Sequence, residues 1–218
     1  MQQYITVLKK HWFWVFLAVI VVTAASFGFS VYQMPKYRAS VRLLVIQKQG
    51  NRLDAYTAAR SALAVGEVLS KVIYTSSFYD EVMNSGFKID KKYFLEDVEK
   101  QKKLWKETVA GRTVDESGAV QVDVYHPDPG QAKEIVYGIA YVMINSGAKY
   151  HGGGDQIEIK MIDAPLVSAK PVKPDILQNT VGGFGLSLLA SVSLILLFAG
   201  SGKREENVAG QTNEIEEI

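Results

Sequence analysis

Few side chains in this sequence could do acid–base or metal chemistry. The histidines are His11, His126 and His151, and there is no cysteine. No two histidines have the H-E-x-x-H spacing that turns both imidazoles to one metal on a helix. No G-x-S-x-G elbow exposes a serine, and no G-x-x-x-x-G-K-[ST] loop cradles a phosphate. The absence of cysteine excludes disulfides, thiolate metal sites, cysteine nucleophiles and cysteine-linked lipid anchors together. Gly152, Gly153 and Gly154 follow a helical stretch, whereas phosphate-binding glycines open one, so they read as a flexible chain stop. Carboxylates are spread along helices rather than paired. No nucleophile, base and charge-stabilising group converge, so the reading is of a protein that is not an enzyme and takes no cofactor and no metal. Trp105 and the tyrosines have flat faces that suit sugar C–H surfaces, but Trp105 equally suits a packed core.

The spacing that stands out serves association instead. Gly183, Ser187 and Ser191 recur every four residues and so share one helix face, with Gly182 and Gly185 adding to the small-residue content. Small residues at that spacing let helix backbones approach closely in lipid, where packing rather than water expulsion drives contact. These residues lie in a stretch with no charge between Asp175 and Lys203. A bilayer core takes about 20 apolar residues in a helix, so a membrane span is predicted over residues 176–200. Pro165, Pro171 and Pro174 precede it. Proline removes a backbone donor and restricts the residue before it, so residues 165–175 read as a stiff, extended connector that orients an outer domain.

A second charge-free run lies near the start, from Trp12 to Pro35, and predicts a span over residues 12–34. Trp12 and Trp14 open it and Tyr32 closes it, where amphipathic rings favour the membrane interface. The run is longer than the about 7–15 residues of a signal peptide's apolar region. Two spans leave residues 1–11 and 201–218 on one side. Lys9, Lys10, Lys203 and Arg204 mark that side as cytoplasmic, against Lys36, Arg38, Lys170 and Lys173 at the opposite ends. The tail has no tyrosine and an excess of glutamate. It is predicted to be disordered and able to dock a basic surface on a cytoplasmic partner.

Between the spans, residues 35–175 read as an α+β domain on the outer side. Tyr37 to Ile46 alternates, then becomes a continuous apolar run, a strand. Ala58, Ala62, Val65, Leu69 and Val72 form one helical face. A short helix from Phe78 to Asn84 ends at Ser85-Gly86. Asp90 is expected to open one charged helix through Glu107, whose thin apolar face (Phe94, Leu95, Val98, Trp105) places it on the outside of the domain or against a neighbour. Strands follow at Thr108 to Val114 and at Ala119 to Tyr125, joined by a D-E-S-G turn. Asp128 is the predicted N-cap of the next helix, Pro129 its first residue, and Gln131 the capping-box partner. Ala132, Ile135, Val136, Ile139 and Met143 form that helix's apolar side. A last strand, Gln156 to Ala164, leads into the prolines. The predicted fold is a small mixed sheet with helices on one face, its first and last strands paired so that the two spans come side by side. The chain has 24 Lys+Arg against 23 Asp+Glu, and 20 against 18 between residues 36 and 175. That balance argues against nucleic acid as a partner, which needs a basic face.

At these residues the chain resembles the Wzz-type polysaccharide co-polymerases, the chain-length determinant family. The resemblance rests on the two terminal spans and the strand after the first. It also rests on the strand–D-P-x-x-A–helix unit at Val120 to Met143, the I-x-I-x-x-I-D-A strand at Ile157 to Ala164, and the P-x5-P-x2-P connector before a glycine-rich span. It implies a homo-oligomer in a bacterial inner or plasma membrane. It implies a role beside a polymerase in setting the length or export of a surface glycan (O-antigen, capsule or exopolysaccharide). Gram-positive relatives of this type instead activate a cytoplasmic tyrosine kinase through the tail. The chain departs from larger members in its short outer domain and has no fused kinase. Outside the family, the rival reading is a two-span sensor whose outer domain binds a ligand.

Overall fold

The computed structural model describes residues 2–48, 54–94, 97–114, 118–152 and 154–216, with side chains described between residues 10 and 197 of these. The chain divides into two compact units, the terminal segments up to Met34 and from Pro174, and Pro35–Lys173 between them. The terminal unit holds α1 (Gln2–Tyr32) and α7 (Ile176–Glu216). Its helices contain Lys10–Tyr32 and Ile176–Leu197, each long and apolar enough to cross a membrane.

The central unit runs β1 (Tyr37–Gln47), α2 (Ala55–Val72), α3 (Ser76–Met83), α4 (Val98–Thr108), β2 (Val109–Val114), β3 (Ala119–His126), α5 (Pro129–Ser146), α6 (Ala148–His151) and β4 (Ile157–Val167). The α+β class agrees with the sequence. The sheet order is β2-β3-β1-β4, and every neighbouring pair is antiparallel. The expected mixed sheet is therefore corrected. β3 folds back from β2 and inserts between β2 and β1, so these two like-directed strands are never neighbours. The first and last strands do pair, with Ala39 opposite Val167 and Gln47 opposite Ile157.

Alternation along β1 and β3 sends Ala39, Val41, Leu43 and Val45 and Val120, Val122 and Val124 to one face, where all are buried. α2 covers that face with Ala58, Ala62, Val65 and Leu69, and α5 covers it with Ala132, Ile135, Val136, Ile139 and Met143. Both helical faces are those the periodicity marks, with Val72 only half-buried. Gly86 and Gly152 end their helices at φ of 88° and 66°, a left-handed geometry that glycine adopts without a Cβ clash. Gly153, Leu95 and the Asp115–Ser117 part of the expected turn lie outside the described residues.

The segment after Asp90 differs from expectation. Asp90 caps only a single 3-10 turn, Lys91–Tyr93, and Asp97 caps α4 by accepting from the Lys100 N–H. Phe94 between them is extended (φ −88°, ψ 120°) and 4% exposed. Burying this ring breaks the helix into two pieces. α4 does carry lysines outward, yet Trp105 points inward and is 1% exposed. Its indole Nε1–H donates to the Ile73 carbonyl at 2.7 Å. Its ring meets Tyr79 and Phe94 at 5.1 and 5.6 Å between centroids. Trp105 is thus a core residue, not a sugar-facing one.

At the start of α5, Asp128 accepts from the Gly130 and Gln131 N–H groups, and Pro129 is the first helical residue. Gln131 does not complete a capping box. Its side chain accepts from the Asp90 N–H at 2.8 Å and donates to the Lys88 carbonyl at 3.2 Å. Those two backbone groups lack regular partners, so bridging them satisfies more than a return to the cap would.

The tail is also corrected. α7 continues without interruption through Glu216, where disorder was expected. Residues 201–216 include no proline. Extending an existing helix avoids the nucleation cost an isolated peptide would bear.

Candidate functional site

The site begins with spacing. On α7, Asn179, Gly183 and Ser187 fall four residues apart, and on α1 so do Ser26 and Ser30. Within the terminal unit these two rows face each other. Asn179 Nδ2 donates to Ser30 Oγ at 3.0 Å, and Ser30 and Ser187 are 0% and 5% exposed. Gly183 sits against Ser26, where an added Cβ would lie 2.7 Å from the serine Cβ. The hydroxyls of Ser187 and Ser191 donate to the carbonyls of Phe184 and Ser187 on their own helix, at 2.9 and 2.6 Å. Such back-bonding hides the polar groups and leaves a small, smooth surface. Among the described residues the hydrogen-bonded side-chain pair between α1 and α7 is Asn179–Ser30, at one end of the contact.

The predicted residues thus separate. Gly183 and Ser187 lie in the contact and Ser191 continues their row. A Cβ on Gly182 would meet nothing within 4 Å, and the same holds for Gly185, so neither lies in it. Pro165 is inside β4 and buried, Pro171 is exposed and Pro174 half-buried. Asp128 and Pro129 belong to the α5 cap. Sequence reasoning passed over Asn179, Ser26 and Ser30. The signal was available as S-x3-S in α1, four residues being one turn.

One flank of the helix pair is an apolar groove of about 750 Å³, lined by Trp12, Phe16, Phe27, Phe184 and Leu188 among others. Trp12, Trp14 and Tyr32 are 67%, 64% and 89% exposed. Apolar side chains at that exposure suit lipid as their surroundings.

The central unit holds the titratable candidates. His126 is 5% exposed and ends β3. Its Nδ1 lies 3.0 Å from the Asp128 amide nitrogen and 3.2 Å from the Asp128 carbonyl oxygen. The ring lies 4.2 Å from that of Tyr93. Burial lowers the imidazole below its ordinary range, against the opposing pull of the Asp128 backbone. His151, further along at the end of α6, is also lowered by burial. Among the described residues no group of three or more histidine or carboxylate side chains is placed to hold a metal.

The sign of the His126 effect follows from that lowering. The folded state favours the neutral ring, so the unfolded chain binds the proton more readily near pH 6.5 and below. Stability from this residue is complete above that pH and is lost as pH falls through the folded value. Scanning calorimetry of the full chain should show a falling midpoint between pH 7 and pH 5. H126N, which keeps an acceptor near the Asp128 amide, should flatten that slope. An equal slope in the variant would refute the assignment.

Residues 1–90 match the family model Wzz, chain length determinant protein. No curated protein matches the chain. The match spans α1, β1, α2 and α3, less than half of the chain, and over those residues it bears out the Wzz-type resemblance.

Proposed function

We propose that this Wzz-type chain is a non-enzymatic membrane scaffold. It sets the chain length of a surface polysaccharide through a homo-oligomer working beside a separate polymerase. The observation that carries the reading is the tight α1–α7 contact through Ser26, Ser30, Asn179 and Gly183, together with the family match at residues 1–90. A rigid two-helix unit gives an assembly a defined membrane surface, whereas two loosely tethered spans would not. Lys9, Lys10, Lys203 and Arg204 support cytoplasmic termini under the positive-inside rule, with Pro35–Lys173 on the outer side.

A second reading is an adaptor that activates a cytoplasmic tyrosine kinase. The helical continuation of α7 through Glu216 favours it, since a helix can present the tail's glutamates to a basic partner. The test is the size distribution of surface glycan in a deletion strain that holds no second protein of this type. The strain is complemented with the full chain or with a chain ending at Lys203. Restoration by both is the expected result and supports the scaffold. Restoration by the full chain alone transfers the function to the tail. Unchanged glycan in the deletion strain rejects both and leaves the sensor.

A further inference from the structure

The second face of the sheet has no helix on it among the described residues. Register places Arg38 opposite Tyr125, Ser40 opposite Asp123, Arg42 opposite Gln121, and Arg112 opposite Gln121 from the other side. Directly opposite residues share a face, so these side chains all stand on the uncovered one. Lys160 and Glu158 join them from β4, opposite Leu44 and Ile46. Lys173 lies over the Tyr125 ring, 3.5 Å from its centroid.

Two of the cations on this face are answered. Arg42 pairs with Asp163 and Lys160 with Glu158, each at 3.2 Å. Arg38, Arg112 and Lys173 form no ion pair among the described residues, and the carboxylate among them is Asp123. Asp123 is 5% exposed and is already held by neutral donors, the Ser40 hydroxyl and Gln121 Nε2. The imbalance is felt locally. Burial lowers the Lys173 ammonium and Lys36 lowers it further, with Asp123 opposing. Burial raises the Tyr125 hydroxyl and Asp123 adds to it, while Arg38 and Arg112 pull the other way. Among the described residues, a domain of nearly balanced charge thus gathers three cations without an ion pair, Arg38, Arg112 and Lys173, on the side that carries no helix.

We infer that this face binds an acidic glycan strand, its carboxylates or phosphates meeting Arg38, Arg112 and Lys173. The inference rests on the chain-length reading for the identity of the ligand as a glycan. Geometry selects a linear polyanion over a single anion. Arg38 and Arg112 are two strands apart and offset by four residues, roughly 16 Å between backbone positions at the usual strand spacings. One phosphate cannot answer both, whereas an extended chain with repeated charges can. Arginine suits planar carboxylates and phosphates through its paired donors.

The test uses the full chain in detergent at low salt, with a ten-residue oligogalacturonide as probe and maltodecaose as its neutral counterpart. The oligogalacturonide should bind at least about tenfold more tightly, and added salt should weaken it. R38Q/R112Q should lose at least about tenfold of that affinity with unchanged oligomer size, and K102Q/K103Q on α4 should lose none. Equal binding of both probes overturns the inference, as does unchanged binding by R38Q/R112Q. Binding to phosphatidylglycerol vesicles without binding to the oligogalacturonide overturns it in favour of a lipid surface. In cells the two readings separate. Glycan unchanged by deletion sinks the chain-length reading. Glycan altered by deletion but fully restored by R38Q/R112Q sinks only the acidic-strand inference.

Discussion

Replacing Trp105 with alanine is expected to lower the unfolding midpoint of the full chain by roughly 10 °C or more. The side chain is 1% exposed and packs edge-on with Tyr79 and near Phe94. Truncating a buried aromatic to alanine costs about 3–5 kcal/mol. The same change removes the donor to the Ile73 carbonyl, and a buried group left without its partner adds its own desolvation penalty. Against a total stability of about 5–15 kcal/mol, this is a large single loss. W105F retains a ring but not the indole N–H, so its midpoint should fall between those of the wild type and W105A. Scanning calorimetry in micelles reads all three. An unchanged midpoint in W105A would mean that the aromatic cluster does not hold the domain together.

The second large effect lies in the helix pair. G183L forces a branched side chain into a place where even a Cβ would come within 2.7 Å of the Ser26 Cβ. Overpacking a close contact costs about 1–3 kcal/mol, which is roughly a five- to hundredfold change in pairing. The chain has no cysteine, so S30C with N179C reports the contact without background, replacing a pair 3.0 Å apart. Oxidation should join the two helices efficiently in that double variant and poorly once G183L is added. G182L should leave the yield unchanged, because that position is open. Equal loss from both substitutions would refute the assigned face.

These residues also show how far the sequence could be read. Periodicity marked the buried faces of α2 and α5 because apolar side chains repeat with the helix turn, a local signal. Asp128 and Pro129 were legible for the same reason, since capping is decided within four residues. Gln131 was misplaced because its partners, Lys88 and Asp90, are more than 40 residues away in sequence and adjacent only after folding. The break at Phe94 and the inward turn of Trp105 belong to the same class, where tertiary burial overrides a helical pattern. In the site, Gly183 and Ser187 were visible as a row on one helix. Their opposite row, Ser26 and Ser30, was hidden because serine in an apolar run gives no sign of what it faces. The basic side of the sheet was invisible to composition, because the arginines of β1 and β2 meet only through register and the acids of β3 and β4 nearly balance them in the sum.

The position of β1 has a kinetic consequence. It is made first, yet one of its edges pairs with β3 and the other with β4, whose residues come more than 100 positions later. Long-range pairing of this kind slows folding, since loop closure must precede the contacts that reward it. During synthesis Val41 to Ile46 must wait with both edges unpaired, an apolar strand open to wrong partners. The rate at which β4 arrives therefore governs how long the newborn domain remains prone to aggregation.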